Sequence, residues 1–273
     1  MKPHEQGVFN QIGKTLASPL SQLFVNAATE DLASLLEAYW CILLGKGAGS
    51  GWALEAETNA AKSVIKSSHP ILFDVGANNG EWSLLFHKIF PEAQIFLFEP
   101  QPSCQQIITD KNIPNSQLIP KAVSSQSNVV QLYTAAENSE IASLHPRQDS
   151  YFQQNVFTPL EVETITLDSV IENYGLACVD FLKMDIEGHE LDALKGATKS
   201  LEAKKIKALS FEFGSGNINS RTFFRDFWDL LHPLKYRIYR ILPSSRLMPI
   251  KEYYEDCEYF RGVSNYIAVL DLY

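Results

Sequence analysis

The chain has 273 residues, of which 45% are hydrophobic, enough to bury the core of one large α/β domain with an appendage. The formal net charge of −9 argues against a nucleic-acid partner, because phosphate backbones bind positive surfaces. The four cysteines are widely spaced and form no CxxC or Cys/His pair, so neither a zinc site nor a disulfide framework is predicted. Because the N-terminus also lacks a secretory signal pattern, a cytoplasmic protein is expected.

Residues 1–68 are predicted to form a helical appendage, and residues 69–273 form the main domain. Ser18 and Pro19 are a typical cap and first-turn pair for one helix. A second helix is predicted to begin at Thr29, where two acids follow at the positive end of the helix dipole.

An apolar stripe runs along this second helix from Leu32 to Leu43. We expect it to pack on the main domain or on the same helix of a second subunit, which would make the protein a homo-oligomer. The apolar run 32–44 has 13 residues and contains Glu37, so no membrane span is predicted.

A glycine-rich segment, Gly45–Gly51, separates the second helix from a third, predicted over Trp52–Lys66. It lacks the order GxxxxGK[ST] of a phosphate loop and follows a helix instead of a strand, so a flexible hinge is the better interpretation. His69-Pro70 ends the third helix before the main domain.

A strand, glycine turn and helix open the main domain. Ile71 to Val75 is predicted as a buried strand, and Gly76, Ala77 and Gly80 form a turn whose backbone can approach a ligand. A helix is expected next, as in nucleotide-binding α/β folds. Asp74, at the end of the strand, is expected to accept hydrogen bonds from a ligand amine or from N–H groups of the turn.

A second acid stands at the end of the next predicted strand, Ala93–Phe98. Glu99 follows this strand 19 residues after Gly80, close to the spacing of about 20 at which an acid meets ribose hydroxyls in such folds. One carboxylate accepts hydrogen bonds from two adjacent hydroxyl groups. The turn lacks the complete dinucleotide fingerprint, which disfavours a dehydrogenase.

A third strand is predicted over Gln117–Val123, with an additional strand, Val129–Thr134, beside it. Ala122, Val123 and Ser124 would then lie next to an adenine ring, although core residues with a turn explain them equally well. The polar stretch 135–157 has no clear periodicity and is interpreted as a substrate-side loop or as a surface excursion. It contains Ser139, Ser143, His145 and Arg147.

The strongest cluster of ionisable residues follows a fourth buried strand, Val179–Met184. It comprises Lys183, Asp185, Glu187, His189 and Glu190. Ligands bind outside the carboxyl ends of strands in α/β sheets, so the cluster indicates a functional site rather than a solvated turn. Glu190 has an alternative role, because an acid also favours the N-terminus of the helix that follows.

The last third of the chain is rich in aromatic residues and completes the predicted sheet. A fifth strand over Ala208–Phe213 contains Glu212, which faces the site or a buried partner. Ser220 is predicted to cap a helix over 221–231. Two further strands, 236–242 and 265–270, form an antiparallel hairpin at the far edge.

Three separated motifs carry a family resemblance. These are Asp-Val-Gly-Ala-Asn-Asn-Gly from Asp74, Phe-Glu-Pro around Glu99, and Lys-Met-Asp-Ile-Glu-Gly-His-Glu from Lys183. In this order they resemble the FkbM-type family of S-adenosylmethionine-dependent methyltransferases. The resemblance implies a Rossmann-like class I methyltransferase fold, a mostly parallel seven-stranded α/β sheet with helices on both faces and a C-terminal antiparallel hairpin.

The resemblance and the residue chemistry together assign the site. The expected cofactor-binding residues are Asp74, Gly76, Ala77, Asn78, Gly80, Glu99, Pro100, Ala122, Val123 and Asp185. The expected catalytic residues are His189, Asp185, Glu187 and Lys183. His189 is the predicted general base, because its ordinary pKa is about 6.5. Asp185 or Glu187 would orient the imidazole or bind a divalent cation, but no metal site is predicted.

The predicted reaction transfers a methyl group from S-adenosyl-L-methionine to a hydroxyl of a sugar, glycan or secondary metabolite, as the resemblance implies. Two other functions remain open. One is an N-methyltransferase acting on RNA or protein, disfavoured by the acidic charge and by the lack of an Asn-Pro-Pro-Tyr-type motif. The other is a cofactor-binding interaction module without catalysis. The expected partner is therefore a small sugar or natural-product acceptor, with no nucleic acid and no membrane span.

Overall fold

A computed structural model describes residues 6–26, 28–47, 54–135, 139–146 and 155–271. The helices of these segments are α1 (Gln6–Phe24), α2 (Glu30–Leu43), α3 (Leu54–Val64), α4 (Glu81–Ile89), α5 (Pro102–Lys111), α6 (Leu167–Asn173), α7 (Glu190–Lys195), α8 (Thr198–Glu202), α9 (Ser215–Ser220) and α10 (Phe224–Leu231). The strands are β1 (Ile71–Val75), β2 (Gln94–Phe98), β3 (Ser116–Ile119), β4 (Ala122–Val123), β5 (Val129–Thr134), β6 (Thr158–Ile165), β7 (Phe181–Met184), β8 (Ala208–Gly214), β9 (Tyr236–Ile241), β10 (Leu247–Pro249) and β11 (Val263–Leu270). A short 3₁₀ helix covers Glu255–Glu258.

The main sheet has eight strands in the order β10-β9-β11-β8-β7-β1-β2-β3. The pairs from β8 to β3 are parallel, whereas β11 runs antiparallel to both β8 and β9. The predicted α/β class, mostly parallel sheet and C-terminal antiparallel pair are confirmed. The sheet has one strand more than the seven predicted, because the three-residue β10 pairs with the outer edge of β9.

Both faces of this sheet are buried, as the apolar central strands predict. Alternate residues of a strand point to opposite faces, so Leu72 packs in one hydrophobic cluster and its neighbour Phe73 in another. The same alternation divides Leu97 from Phe98 on β2. Helices therefore cover both faces, and the carboxyl ends of β1, β2, β7 and β8 stay accessible for ligands.

The third strand differs from the prediction, because it is divided at Pro120. Residues before the proline form β3 in the main sheet, and residues after it form β4, which pairs with β6 in a separate three-stranded sheet. A proline has no N–H to donate to a ladder, so the strand cannot continue unchanged through it. β5 also pairs with β6 and not with β3. β6 was not predicted, although Leu160, Val162 and Thr164 alternate with exposed acids.

Two predicted helix starts are wrong. Pro19 lies inside α1, because apolar residues recur at four-residue spacing at Ile12, Leu16 and Leu20, on both sides of the proline. Ser220 is the last residue of α9, and α10 begins only at Phe224, where Phe223 N–H bonds to the Asp226 carboxylate.

The third helix belongs to the packing of the main sheet. α3 contacts α4, β9 and β11, and its Ala60 and Ala61 are fully buried in one of the two clusters. Most of the predicted glycine hinge and Trp52 lie outside the described residues. Among the described helices, none combines the length and the apolar character that crossing a membrane requires.

Gly76 has a backbone conformation that an L-residue resists. Its φ is +76°, and a Cβ there would lie 2.0 Å from the Asp185 carbonyl oxygen. We predict that Gly76→Ala lowers the free energy of unfolding well beyond the roughly 1–2 kcal/mol of left-handed strain alone. Gly175→Ala is the matched control, because Gly175 also has positive φ but an added Cβ would meet no atom within 4 Å. Urea unfolding of both variants checks this, and equal losses would contradict the close approach.

Candidate active site

A cavity of about 670 Å³ opens at the carboxyl ends of β1, β2, β7 and β8. It contains most of the predicted site residues, namely Gly76, Ala77, Asn78, Glu99, Pro100, Ala122, Val123, Lys183, Asp185, Glu187 and His189. Asp74 and Gly80 are not part of its lining. Ser139 and Ser143 also line it, whereas Arg147 lies outside the described residues.

The glycine turn is held against the end of β2. The N–H groups of Gly76 and Ala77 both donate to the Phe98 carbonyl, at 3.0 and 3.1 Å. Asn78 follows with a positive φ of 46°. Its N–H donates to the Glu99 carboxylate at 2.8 Å. The turn and the acid predicted from the two motifs therefore form one connected wall of the cavity.

Glu99 is 2% exposed, and its second carboxylate oxygen accepts the Gln101 N–H at 2.8 Å. Burial raises the pKa of Glu99 to about 7, although the N–H bonds from Gln101 and Asn78 favour the charged form. Each carboxylate oxygen retains a lone pair beyond the one used by these bonds. The position therefore fits the predicted partner of a pair of vicinal hydroxyls.

Gln101 was missed by the sequence analysis, because an isolated glutamine after a strand has no distinctive pattern. Its side-chain amide donates to the Ser139 carbonyl at 3.1 Å, and its amide oxygen accepts the Ser139 N–H at 3.1 Å. This reciprocal pair fixes the described part of the loop over the same end of the cavity as Glu99.

Lys183 connects two strand ends. Its Nζ lies 3.1 Å from Asp74 Oδ1 and 3.8 Å from Asp185 Oδ2, and it donates to the Gly76 carbonyl at 2.9 Å. Burial alone would lower the pKa of Lys183. The attraction of Asp74 and Asp185 outweighs burial, so the net effect is a raised pKa. Asp74 is fully buried and also accepts the Ser83 hydroxyl at 2.6 Å. Its contacts are therefore those of a residue that positions Lys183.

Glu57, Asp185, Glu187 and Glu212 also line the cavity with their carboxylates, and Asp185 lies next to Lys183 and the glycine turn. Oxygen atoms of Asp185, Glu187 and Glu212 lie within 4.8 Å of one another. Burial, with Asp185 nearby, raises the pKa of Glu57 to about 8, and burial raises that of Glu212 well above its ordinary value. Such a cluster can accept a proton near neutral pH or surround a divalent cation. Glu57 was missed because it belongs to the appendage.

Glu190 is fully buried at the first residue of α7, in agreement with the alternative that it favours the helix N-terminus. Its Oε1 accepts the N–H groups of Ile186 and Gly188, at 2.9 and 3.3 Å. Burial raises the pKa of Glu190 to about 8. The residue thus shapes the turn that presents Asp185 and Glu187.

His189 reaches the cavity with both ring nitrogens in contact with other side chains. Nε2 lies 3.0 Å from the Ser124 hydroxyl, and Nδ1 lies 3.1 Å from His145 Nε2. Asp192 Oδ2 is 3.7 Å from the same Nδ1. Burial lowers the pKa of His189 to about 4, although Asp192 opposes the shift. The ring is therefore neutral at neutral pH, and each nitrogen already faces a protein group.

Glu190 should make stability depend on pH. The pKa of Glu190 is higher in the folded protein than the ordinary 4.5, so the folded state binds a proton on Glu190 more tightly than the unfolded state does. This contribution to the free energy of unfolding is complete below pH 4.5 and is lost as pH rises toward 8. We predict that the free energy of unfolding of Glu190→Gln increases relative to that of wild type as pH rises, by up to about 1.4 kcal/mol per pH unit between pH 5 and 8. Urea unfolding over this range checks the slope. Glu190→Ala is the contrasting variant, because it leaves two buried N–H groups without an acceptor. Parallel pH curves for wild type and Glu190→Gln would contradict the shift.

The sheet order, the glycine turn and the acids at the strand ends define a Rossmann-like α/β protein with a cavity for a nucleoside-containing cofactor. The family model described as "Methyltransferase FkbM domain" matches residues 74–238, more than half of the chain. The chain therefore belongs to the FkbM methyltransferase family, which confirms the resemblance seen in the three motifs.

Three curated proteins are similar to this chain. The 2-O-methyltransferase NoeI of Sinorhizobium fredii is 24% identical over 150 residues, which cover 51% of this chain and 62% of the relative. The methyltransferase sdnD of Sordaria araneosa is 27% identical over 157 residues, covering 47% and 61%. The hexuronic acid methyltransferase AglP of Haloferax volcanii is 27% identical over 147 residues, covering 53% and 56%. The chain thus spans less than two thirds of each relative.

Proposed function

We propose that this protein is an S-adenosylmethionine-dependent O-methyltransferase that acts on a hydroxyl of a sugar, glycan or small natural product. The observation that carries the proposal is the combination of two features in one cavity. The glycine turn with Glu99 forms one wall, and the carboxylates of Glu57, Asp185, Glu187 and Glu212 line the same cavity. A sugar acceptor agrees with the names of two relatives, a 2-O-methyltransferase and a hexuronic acid methyltransferase.

The residues present fit S-adenosylmethionine. The cavity volume of about 670 Å³ lies within the range of about 300–1,000 Å³ typical of small-ligand sites. At Gly76, Ala77 and Asn78 the backbone can approach the cofactor closely, and the Glu99 carboxylate accepts hydrogen bonds from the ribose hydroxyls. Ala122 and Val123 form an apolar wall for the adenine, beside Pro100. In this proposal Asp74 acts through Lys183, and the more exposed Asp185 accepts the amine of the methionine group.

When bound, S-adenosylmethionine supplies a methyl group activated by a positively charged sulfur. The protein must then orient the acceptor hydroxyl and remove its proton. We propose that the carboxylates of Asp185, Glu187 and Glu212 perform both tasks, because their oxygen atoms lie within 4.8 Å of one another in the cavity and a positioned carboxylate can accept the hydroxyl proton. From the sequence, His189 was the predicted base. Since both of its ring nitrogens face other side chains, we assign the proton to the carboxylates instead.

In this proposal, residues of the appendage and of the main domain together line the part of the cavity that binds the acceptor. We retain the division into residues 1–68 and 69–273, with α3 of the appendage supplying Leu54, Glu55 and Glu57 to the cavity. These residues are then suited to acceptor selection, because they come from a segment outside the cofactor motifs. The net charge of −9 supports a small-molecule acceptor instead of nucleic acid. The wide cysteine spacing supports a cytoplasmic location.

Glu99 provides the test of the cofactor. We predict that Glu99→Gln weakens S-adenosylmethionine binding about 10- to 100-fold, because hydrogen bonds to a charged group contribute about 1.5–3 kcal/mol. Wild-type affinity should also fall as pH drops below about 7, where Glu99 takes up a proton. Calorimetric titration measures both effects. Glu92→Gln, the same change at an exposed position, is the matched control. Binding of NAD instead of S-adenosylmethionine would overturn the assignment.

We also propose that α1 and α2 form a homodimer interface. Their exposed apolar side chains include Leu16 and Leu20 on α1 and Leu36 and Trp40 on α2. Sedimentation should give a dimer for wild type and a shift to monomer for Leu36→Lys. Val129→Lys, at an exposed apolar position on β5, is the control and should remain dimeric. A monomeric wild-type protein would contradict this part of the proposal.

A further inference from the structure

Two histidines and an aspartate converge beside the cavity, at a place that the proposed methyl transfer does not use. We propose that His145, His189 and Asp192 bind a transition-metal ion of the zinc class. His145 belongs to the loop between β5 and β6, His189 directly precedes α7, and Asp192 lies in α7. One donor atom from each residue lies within 4.8 Å of the others.

The spacing of these donor atoms is close to that of a tetrahedral site. His145 Nε2 is 3.1 Å from His189 Nδ1, which is 3.7 Å from Asp192 Oδ2. Ligand atoms about 2.0–2.2 Å from a tetrahedral zinc ion stand roughly 3.3–3.6 Å apart. Small adjustments of three side chains would therefore complete the coordination.

A hydrogen bond between the two imidazoles explains only part of this arrangement. One ring can donate to the other across 3.1 Å. Asp192 Oδ2 then remains 3.7 Å from His189 Nδ1, which is too long for a hydrogen bond. A single cation between the three donors accounts for all of these approaches.

The other polar atoms of two ligands already have partners of the kind that support metal sites. His189 Nε2 lies 3.0 Å from the Ser124 hydroxyl. When Nε2 carries the proton and donates it to Ser124, the lone pair of Nδ1 is directed to the metal. Asp192 Oδ1 accepts Lys195 Nζ at 2.8 Å, which leaves Oδ2 on the side of the histidines.

The donor set distinguishes this site from the carboxylate cluster in the cavity. Imidazole nitrogen with carboxylate oxygen suits zinc and similar transition metals, whereas oxygen-only clusters suit Mg²⁺ and Ca²⁺. Three protein ligands leave one coordination position for water or another oxygen ligand. The ion would also join the loop between β5 and β6 to α7, next to the Ser143 hydroxyl that donates to the Glu187 carbonyl at 2.9 Å.

The test is calorimetric titration of the chelator-treated full-length protein with ZnCl₂ and, separately, with MgCl₂. We expect about one zinc ion per chain and no comparable Mg²⁺ binding at this site. His145→Ala and Asp192→Asn should each weaken zinc binding at least about tenfold. His69→Ala, at an exposed histidine, is the matched control and should bind zinc as wild type does.

Two further measurements make the outcome decisive. Circular dichroism of each variant shows whether it is folded, and Co²⁺ absorption in place of zinc reports nitrogen and oxygen coordination directly. Absence of zinc binding by the folded wild type overturns the proposal, as does wild-type affinity in folded His145→Ala. Loss of zinc binding in Asp185→Asn, with His145→Ala unaffected, would assign the ion to the carboxylate cluster and also overturn it. Because S-adenosylmethionine binding is measured separately, failure here is distinguishable from failure of the proposed methyltransferase activity.

Discussion

The site depends on a buried ammonium group between two strand ends. Lys183 of β7 reaches Asp74 of β1, Asp185 beyond β7 and the carbonyl of Gly76 at the start of the turn. A buried charge without partners would cost several kcal/mol, whereas here two carboxylates and a carbonyl surround it. The same contacts fix the glycine turn against the acidic turn after β7. The backbone of Gly76 can approach Asp185 so closely only because no Cβ separates them.

Three acids near the cavity differ from Lys183, because burial outweighs the interactions that would keep them charged. Glu57, Glu190 and Glu212 have raised pKa values, so several carboxyl groups near the cavity keep protons at a pH where surface acids are charged. One lysine cannot neutralise them all, and burial opposes the accumulation of negative charge. A positively charged cofactor would relieve this repulsion on binding. The wall of the cavity is thus complementary to a cation before any specific hydrogen bond forms.

Much of this architecture could be predicted from the sequence, because the informative signals are local. The strands β1, β2 and β7 are short apolar segments with Asp74, Glu99 and Asp185 at or just beyond their carboxyl ends, and parallel packing brings these ends together. The division at Pro120 and the pairing of β6 were not predicted, because strand pairing is a long-range property that single strands do not specify. The contacts between Gln101 and Ser139 were also not predicted, because they join segments 38 residues apart in the chain. The roles of Asp74 and His189 depend on which atoms meet which partners, and only the structure gives those contacts.

The position of β11 limits what part of the chain can fold alone. This strand lies between β8 and β9 in space, yet it comes last in sequence, beyond the residues 74–238 that the family model matches. A fragment restricted to the matched residues would begin inside β1 and end inside β9, and without β11 the edge of β8 would be unpaired. It would also lose α3, which covers one face of the sheet with Ala60 and Ala61. Such a fragment would retain every cofactor motif and would be prone to aggregate through unpaired strand edges.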